Sequence, residues 1–568
     1  MRVFGLQKSI RLLLSGVVLL LASAQTALAA PPKVNHLFPA GGQRGQTVKV
    51  TAAGEFSTWP VEIWSDYPGV SVTAEADKGK IAVQLDADAP PGIAWLRFHN
   101  GEGASTLQPF VIGTLDEVEE KEPNDAPSNP QQVAPRVVVN GRLQKGGDAD
   151  GYKVSLKQGE TLVAALQAHT QLGSPVDSVM QICEIVERKS LPDVPALVEA
   201  YMLQHDHDSC GLDPRLIFTA PRDGDYLVRI FGFPSEPNSS IAYSGAESYI
   251  YRLTLTTGPY VIGALPSALP PEGGEIEFTG WNLPSEGLRA SIPAAADLPE
   301  ANLAPPRRPF SAAPAEAGGF AALVRTPYAV AIAAAASSPQ NPQPITVPVN
   351  VTGQLRDNPD GQAFEFEAAK GKKLRLSVEA SSLGFPWDPK LVVTDAAGKL
   401  LTEADDVKGA RDPEIVFNPP ADGKYRVIIR DLAENAALDF LYRLTVEPAE
   451  PDFVLTLAAD SFTLAADKPA EVTVNVERRE GFAEPITVRI ASLPEGVTAE
   501  EVVSEPSGDS SKSVKLTIKP AGDLAAAKGG PIVVEGRTAD GNKVRRATFS
   551  VGKPLAAEHS AAWLSVTR

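Results

Sequence analysis

Short runs in which apolar and polar residues alternate dominate this chain. Val48-x-Val50-x-Ala52, Tyr152-x-Val154-x-Leu156, Leu374-x-Leu376-x-Val378, Val472-x-Val474-x-Val476 and Val514-x-Leu516-x-Ile518 each place an apolar side chain at every second position. That period turns one face of a strand to a core and the other to water. Turn residues separate the runs, and long helical periodicity is scarce. The pattern predicts an all-β chain, a tandem array of about five small β-sandwich domains following a signal peptide. The one helical expectation is Val194 to Gln204, which is weakly amphipathic.

One passage occurs twice. The first copy reads Leu172-Gly173-x-Pro175-x-Asp177, then Asp213-Pro214-x-x-x-Phe218-x-x-Pro221-x-Asp223-Gly224-x-Tyr226. The second reads Leu383-Gly384-x-Pro386-x-Asp388, then Asp412-Pro413-x-x-x-Phe417-x-x-Pro420-x-Asp422-Gly423-x-Tyr425. Both close on Tyr-Arg-Leu-Thr, at Tyr251 to Thr254 and Tyr442 to Thr445. Composition then divides the chain into a leader at 1–29, a β domain at 30–117, the first repeat at 118–257, a β domain at 258–345, the second repeat at 346–450, a last β domain at 451–553 and a tail at 554–568. Residues 291–343 are rich in Ala and Pro and read as containing a loop.

Arg2, Lys8 and Arg11, the apolar run Leu12 to Ala22, and Ala27-Leu28-Ala29 fit a secretory signal peptide. The expected location is secreted, periplasmic or cell surface, with no membrane span in the mature chain. The net charge of −18 excludes nucleic acid and anionic lipid as partners. It suits calcium, basic partners or plain solubility. The two cysteines, Cys183 and Cys210, permit one disulfide in an exported chain. The alternative is two small buried side chains.

Two acidic stretches carry the candidate chemistry. Glu120-Lys121-Glu122-Pro123-Asn124-Asp125 precedes the first repeat, and Gly147-Asp148-Ala149-Asp150-Gly151-Tyr152 follows it in sequence. Calcium takes six to eight oxygens from carboxylates, amides and carbonyls. Carboxylates this close repel one another unless a cation or solvent relieves them. A solvated acidic linker and an ordinary Asp-Gly turn remain the competing reading.

The Glu-x-Glu-x-Asn-Asp opening, the Asp-x-Asp-x-Tyr strand start, the Gly159-Glu160-Thr161-Leu162 turn and the Asp223-Gly224-Asp225-Tyr226 hairpin resemble the bacterial pre-peptidase C-terminal domain. That family is a β-sandwich of secreted proteins, and in its relatives, the collagen-binding domains of clostridial collagenases, the acidic opening and the Asp-rich turn coordinate calcium. The resemblance implies Glu120, Glu122, Asn124, Asp125, Asp148 and Asp150 as calcium ligands in the first repeat. The second repeat, read as opening at Pro344-Ile345-Thr346-Val347, has no acidic opening, and calcium is not expected there. The flanking segments resemble TIG-type and other immunoglobulin-like domains. The arrangement is similar in style to exported proteins of planctomycete-type bacteria.

Other candidates are weaker. His205-Asp206-His207-Asp208 offers metal-type ligands but suits an exposed turn equally. Trp387, in Gly384-Phe385-Pro386-Trp387-Asp388, is the tryptophan expected to be exposed for ligand binding. No His-Glu-x-x-His, Gly-x-Ser-x-Gly or phosphate-binding loop is present. The expectation is therefore a non-catalytic array that binds calcium in its first repeat and engages an extracellular protein or polysaccharide. The alternative is a targeting or accessory subunit of a secreted peptidase or other hydrolase.

Overall fold

The computed structural model describes residues 30–188, 197–206, 210–234, 242–295, 309–407, 409–555 and 557–567. The leader expected at 1–29, His207, Asp208 and the start of the expected helix at 194–196 lie outside them. The described chain is nearly all strand, arranged as successive pairs of sheets. None of its helices is long and apolar enough to cross a membrane.

Alternation does what the pattern requires. Val472, Val474, Val514, Leu516 and Ile518 all enter the core of the last unit, while Glu471 and Lys515 beside them pair in water at 3.0 Å. Each fully buried Val, Leu or Phe of this kind contributes about 1.5–3 kcal/mol. Separate cores of the same kind lie in each of the five units.

The two repeats share one topology, strand for strand. In the first, one sheet runs in the order Glu117–Glu119, Arg136–Arg142, Ile250–Thr256, Thr161–Gln167, Arg215–Thr219. The facing sheet runs Gln131–Gln132, Ala149–Leu156, Gly224–Gly232, Ser178–Arg188, Leu197–Asp206. The second repeat matches with Ala329–Ile332, Val349–Gln354, Leu441–Pro448, Leu374–Glu379, Glu414–Phe417, and with Gln343–Pro344, Gln362–Ala368, Gly423–Asp431, Pro389–Asp395, Leu400–Ala404. Each repeat therefore starts with a short parallel edge strand. The acidic run at 117–119 is that strand in the first repeat, and Ala329–Ile332 is that strand in the second.

Several expectations give way here. The second repeat takes its first strand from Ala329, inside the stretch read as loop, rather than from 346. Apolar residues of that Ala-rich stretch pack on the second core, which low sequence complexity concealed. The expected tail contains Ala561–Val566, an inner strand of the last unit paired on both sides. The expected helix is strand Leu197–Asp206, paired along Ser178–Arg188, because tertiary pairing outweighs a weak helical period. Cys183 and Cys210 are not joined by a disulfide. Cys183 lies opposite Met202, three positions from the Met180–Asp206 pair, whereas Cys210 lies beyond that end of the hairpin.

The chain also closes on itself. Fully buried Arg97 of the first unit donates to Asp460 of the last at 3.1 Å. Trp64 packs on Trp563 with ring centroids 5.8 Å apart, and Leu107 joins the last unit's core.

Candidate metal centre in the first repeat

The site forms where the edge strand Glu117–Glu119 ends. Glu120 N–H still donates to the Asn140 carbonyl at 2.9 Å, after which the chain leaves the sheet. It turns through Glu122, Pro123 and Asn124 and crosses to the opposite sheet, where Gly151 N–H donates to the Asn124 carbonyl at 3.2 Å. This crossing carries the acidic opening onto the start of strand Ala149–Leu156. Asp148 and Asp150 sit there on alternate positions, with Gly147 supplying the left-handed turn residue at φ 89°.

Carboxylate oxygens of Glu122, Asp125, Asp148 and Asp150 lie within 4.8 Å of one another. Asp148 and Asp150 are fully buried, while Glu122 and Asp125 are exposed and form the outer wall. Asn124 is fully buried. Asp148 Oδ2 accepts from Gln144 N–H at 2.5 Å, and Asp150 Oδ2 accepts from the Tyr251 hydroxyl. The other oxygens, Asn124 Oδ1, Asp148 Oδ1 and Asp150 Oδ1, have no hydrogen-bond partner among the described residues. A buried oxygen left in that condition costs about 1–3 kcal/mol, and more when charged.

Glu120 stands apart from the four-carboxylate group. Its Oε2 accepts from Arg142 N–H at 2.9 Å, and its Oε1 accepts from Asn124 Nδ2 at 3.3 Å. It therefore holds the Asn124 amide in one orientation, with Oδ1 turned away from it. Asn124 N–H donates in turn to Glu122 Oε2 at 3.1 Å.

Burial pushes the Asp150 carboxyl well above the usual range, and the neighbouring Glu120 charge adds to this. Burial likewise raises Glu120, against its hydrogen bonds with Arg142 N–H and the Asn124 amide. Asp148 is raised by burial first, opposed by the Gln144 N–H and aided by the charges of Glu122 and Asp125. All three shifts mean that the charges cost energy where they stand. A divalent ion relieves that cost directly, since hard cations take such oxygens.

Two tyrosines back the site that motif reading passed over. Tyr152 and Tyr251 are fully buried, their hydroxyls 2.5 Å apart. Gly141 gives Tyr251 its room, because a Cβ there would strike the phenol ring. Burial drives both hydroxyls well above their ordinary pKa, and the Asp150 charge is the next cause. The repeated Tyr-Arg-Leu-Thr strand was the available signal for Tyr251.

Strand register aligns the second repeat on the first. Gly141 faces Tyr251 as Gly353 faces Tyr442, and Glu117 pairs along its neighbour as Val330 does. By this register Ala333, Ala335, Ser337, Ser338, Asp360 and Gln362 stand where the first repeat has Glu120, Glu122, Asn124, Asp125, Asp148 and Asp150. Ser337 satisfies itself on both main-chain groups of Ala363, at 2.6 and 3.1 Å. The oxygen cage is thus specific to the first repeat.

Trp387 does not form the exposed site expected of it, and of the histidine candidate only His205 and Asp206 lie among the described residues. Trp387 is only 3% exposed, and its indole N–H donates to the Leu441 carbonyl at 2.9 Å. It stacks on Phe440 at 5.6 Å inside the second core, filling space that Val176 fills in the first repeat. The turn-like sequence around it covers the ring rather than presenting it. His205 pairs across from Gln181, and Asp206 accepts from Arg215 N–H at 2.7 Å, as parts of a hairpin end.

No family model matches the chain, and no curated protein matches it. Among solved structures, the chain is similar to the pre-peptidase C-terminal domain of a collagenase from Bacillus anthracis, at 12% identity over 24% of this chain and 100% of that one, with a TM-score of 0.15. It is similar to a putative secreted protein from Eubacterium rectale at 10% identity over 40% and 79%, TM-score 0.18. Tripeptidyl peptidase 2 gives 10% identity over 95% and 39%, TM-score 0.14. At these scores the likenesses assign no family, and the cage stands on its own geometry.

Proposed function

We propose that this chain is an exported, non-catalytic array of β-sandwiches whose first repeat binds one calcium ion, and that the array displays its surfaces to an extracellular protein or polysaccharide. The two buried carboxylates of Asp148 and Asp150 carry this reading, because they converge with Glu122 and Asp125 in one small space and each keeps an oxygen with no hydrogen-bond partner among the described residues. All the donors are hard oxygens, which suits calcium or magnesium over thiolate- and imidazole-seeking metals. The mix of buried and exposed carboxylates suits the more adaptable calcium shell.

Bound there, the ion would neutralise repulsion among the carboxylates and tie the acidic segment to the far sheet. That segment joins the first unit to the first repeat, so the metal would stiffen a joint of the array. Ligand bound only in the folded state raises stability by mass action, about 2.7 kcal/mol at a hundredfold excess over Kd. Differential scanning calorimetry of the metal-stripped chain tests the reading. Millimolar calcium should shift one transition upward, and D148N/D150N should abolish the shift. An unchanged wild-type thermogram at millimolar calcium ends the proposal.

A further inference from the structure

Four non-glycine residues of the described chain hold left-handed backbone: Asn282 at φ 55°, Glu316 at 57°, Glu434 at 59° and Glu480 at 49°. A side chain strains its own main chain there, so such residues persist where contacts hold them. Three of the four touch a neighbouring unit. Asn282 Nδ2 donates to the Thr161 carbonyl at 2.8 Å, and Glu316 accepts from Arg136 on its carbonyl at 3.0 Å and its Oε2 at 3.2 Å. These contacts seat the middle unit on the first repeat. Glu480 seats the last unit on the second repeat, 3.3 Å from Lys373 Nζ and 3.7 Å from Arg375 Nη2.

Asn282 and Glu480 hold one place in two joints. Each directly follows the strand that pairs with its unit's first strand, where Trp281 faces Tyr260 and Arg479 faces Asp452. That end of the hairpin lies beside the linker from the preceding repeat. The contact points on the repeats correspond too. Val163 pairs with Thr256 and Arg375 with Glu447, and Thr256 and Glu447 each stand five residues beyond the equivalent Tyr251 and Tyr442. Thr161 and Lys373, two residues before Val163 and Arg375, are therefore the same position.

The chemistry of the two joints differs. In the first, a neutral amide meets a main-chain carbonyl, and Arg215 of the repeat stacks on Trp281 beside it at 4.9 Å, so the exposed Arg136–Glu316 pair has company. In the second, Glu480 meets two cations. Lys373 keeps half of its side chain in water, and Arg375 has carboxylates of its own repeat in reach, Glu414 at 3.3 Å and Glu447 at 4.0 Å. Parting from Glu480 therefore strands no buried charge on the repeat, and it leaves Glu480 free to quit the left-handed region. Arg375 also lines a cleft of about 790 Å³ between the second repeat and the last unit.

We propose that Glu480 is a releasable ionic latch, which holds the last unit against the second repeat and sets the opening of the cleft between them. Salt is the releasing agent, since the screening length falls from about 10 Å at 0.1 M to about 3 Å at 1 M. The latch acts at a different joint from the metal centre and does not depend on it.

The test measures the distance between nitroxide labels on exposed positions of the two units, E367C and D467C, in the full chain carrying C183A and C210A. The distribution should be narrow at low salt and broader at high salt. E480G should be broad at both. E434G, which relieves the same backbone strain away from any joint, should match the chain with Glu434 at both. Hydrogen exchange on unlabelled protein gives an independent reading at the linker, where Ala449 N–H donates to the Lys373 carbonyl at 3.0 Å. That amide should exchange faster in E480G and in high salt, and unchanged in E434G. A narrow distribution and slow exchange in E480G, or broadening by E434G equal to that by E480G, would overturn the latch. A distribution that stays narrow at high salt with Glu480 present would overturn its release by screening.

Discussion

Tyr442 donates its hydroxyl to the amide oxygen of Gln362 at 2.7 Å, in the position where Tyr251 donates to the carboxylate of Asp150. The two repeats keep the same buried tyrosine on the same glycine, Gly353 or Gly141. What changes is the charge at its partner. A neutral amide completes a local hydrogen bond and needs nothing further. A carboxylate, buried beside Glu120 and Asp148, is stable only as an acid or against a cation.

The amide of the second repeat can therefore be moved to the first. D150N should stabilise the metal-free chain by about 1–2 kcal/mol, the order of the penalty carried by an unsatisfied buried oxygen. It should also weaken or abolish stabilisation by calcium. Urea unfolding in chelator and in millimolar calcium measures both effects on the same protein.

The metal-free chain should respond to pH in the reverse of the usual acid denaturation. Asp148, Asp150 and Glu120 hold protons more tightly folded than unfolded, since burial raises all three. Their contribution is complete below the unfolded carboxylate range, near pH 4, and is lost as pH rises through the raised folded values. With calcium the slope inverts, because the ion binds the deprotonated form. Melting temperatures of metal-stripped and calcium-loaded protein between pH 5 and 7, compared with D148N/D150N, isolate this effect from the rest of the chain.

Trp387 gives a test of core against surface. W387A should cost about 3–5 kcal/mol, as removal of a buried aromatic does. Adding soluble polysaccharide to the wild type should leave the Trp387 fluorescence unchanged, as measured in a variant with the other tryptophans replaced by phenylalanine.

Period-two alternation was sufficient to read the strands, because each buried row, such as Val472, Val474 and Val476, is a local property of the chain. The duplicated motif was sufficient to read two copies of one fold. The acidic cluster could be nominated because Asp148 and Asp150 lie at a turn that the sequence announces. The roles of Glu120 and Tyr251 could not, since they depend on which oxygen points where after a crossing between sheets. Boundaries failed where edge strands are short. Ala329–Ile332 carries no alternation strong enough to separate it from loop, and only its parallel pairing to Val349–Gln354 makes it a strand. The count of two cysteines permits a disulfide between Cys183 and Cys210, and none forms, because a count carries no geometry. Closure of the first unit on the last depends on contacts hundreds of residues apart, which no local pattern records.

That closure hangs on Arg97, whose guanidinium is fully buried and anchored by the Ser105 carbonyl at 2.9 Å and by Asp460 at 3.1 Å. Burial lowers its pKa, and Asp460 is the charge that acts against this. Removing Asp460 leaves a buried cation with no counter-ion. The cost should be about 2–3 kcal/mol, below that of a fully enclosed pair because Asp460 keeps 30% of its side-chain surface exposed. The apolar contacts, Leu107 in the last core and Trp64 on Trp563, then have to hold the two units, and the aromatic pair is worth about 0.5–1.5 kcal/mol beyond its burial. D460A should therefore let the ends part, giving a larger radius of gyration in small-angle scattering, whereas D460E should retain the compact form. An unchanged radius in D460A, with all five units folded, would show that the apolar contacts suffice and that the ion pair only aligns them.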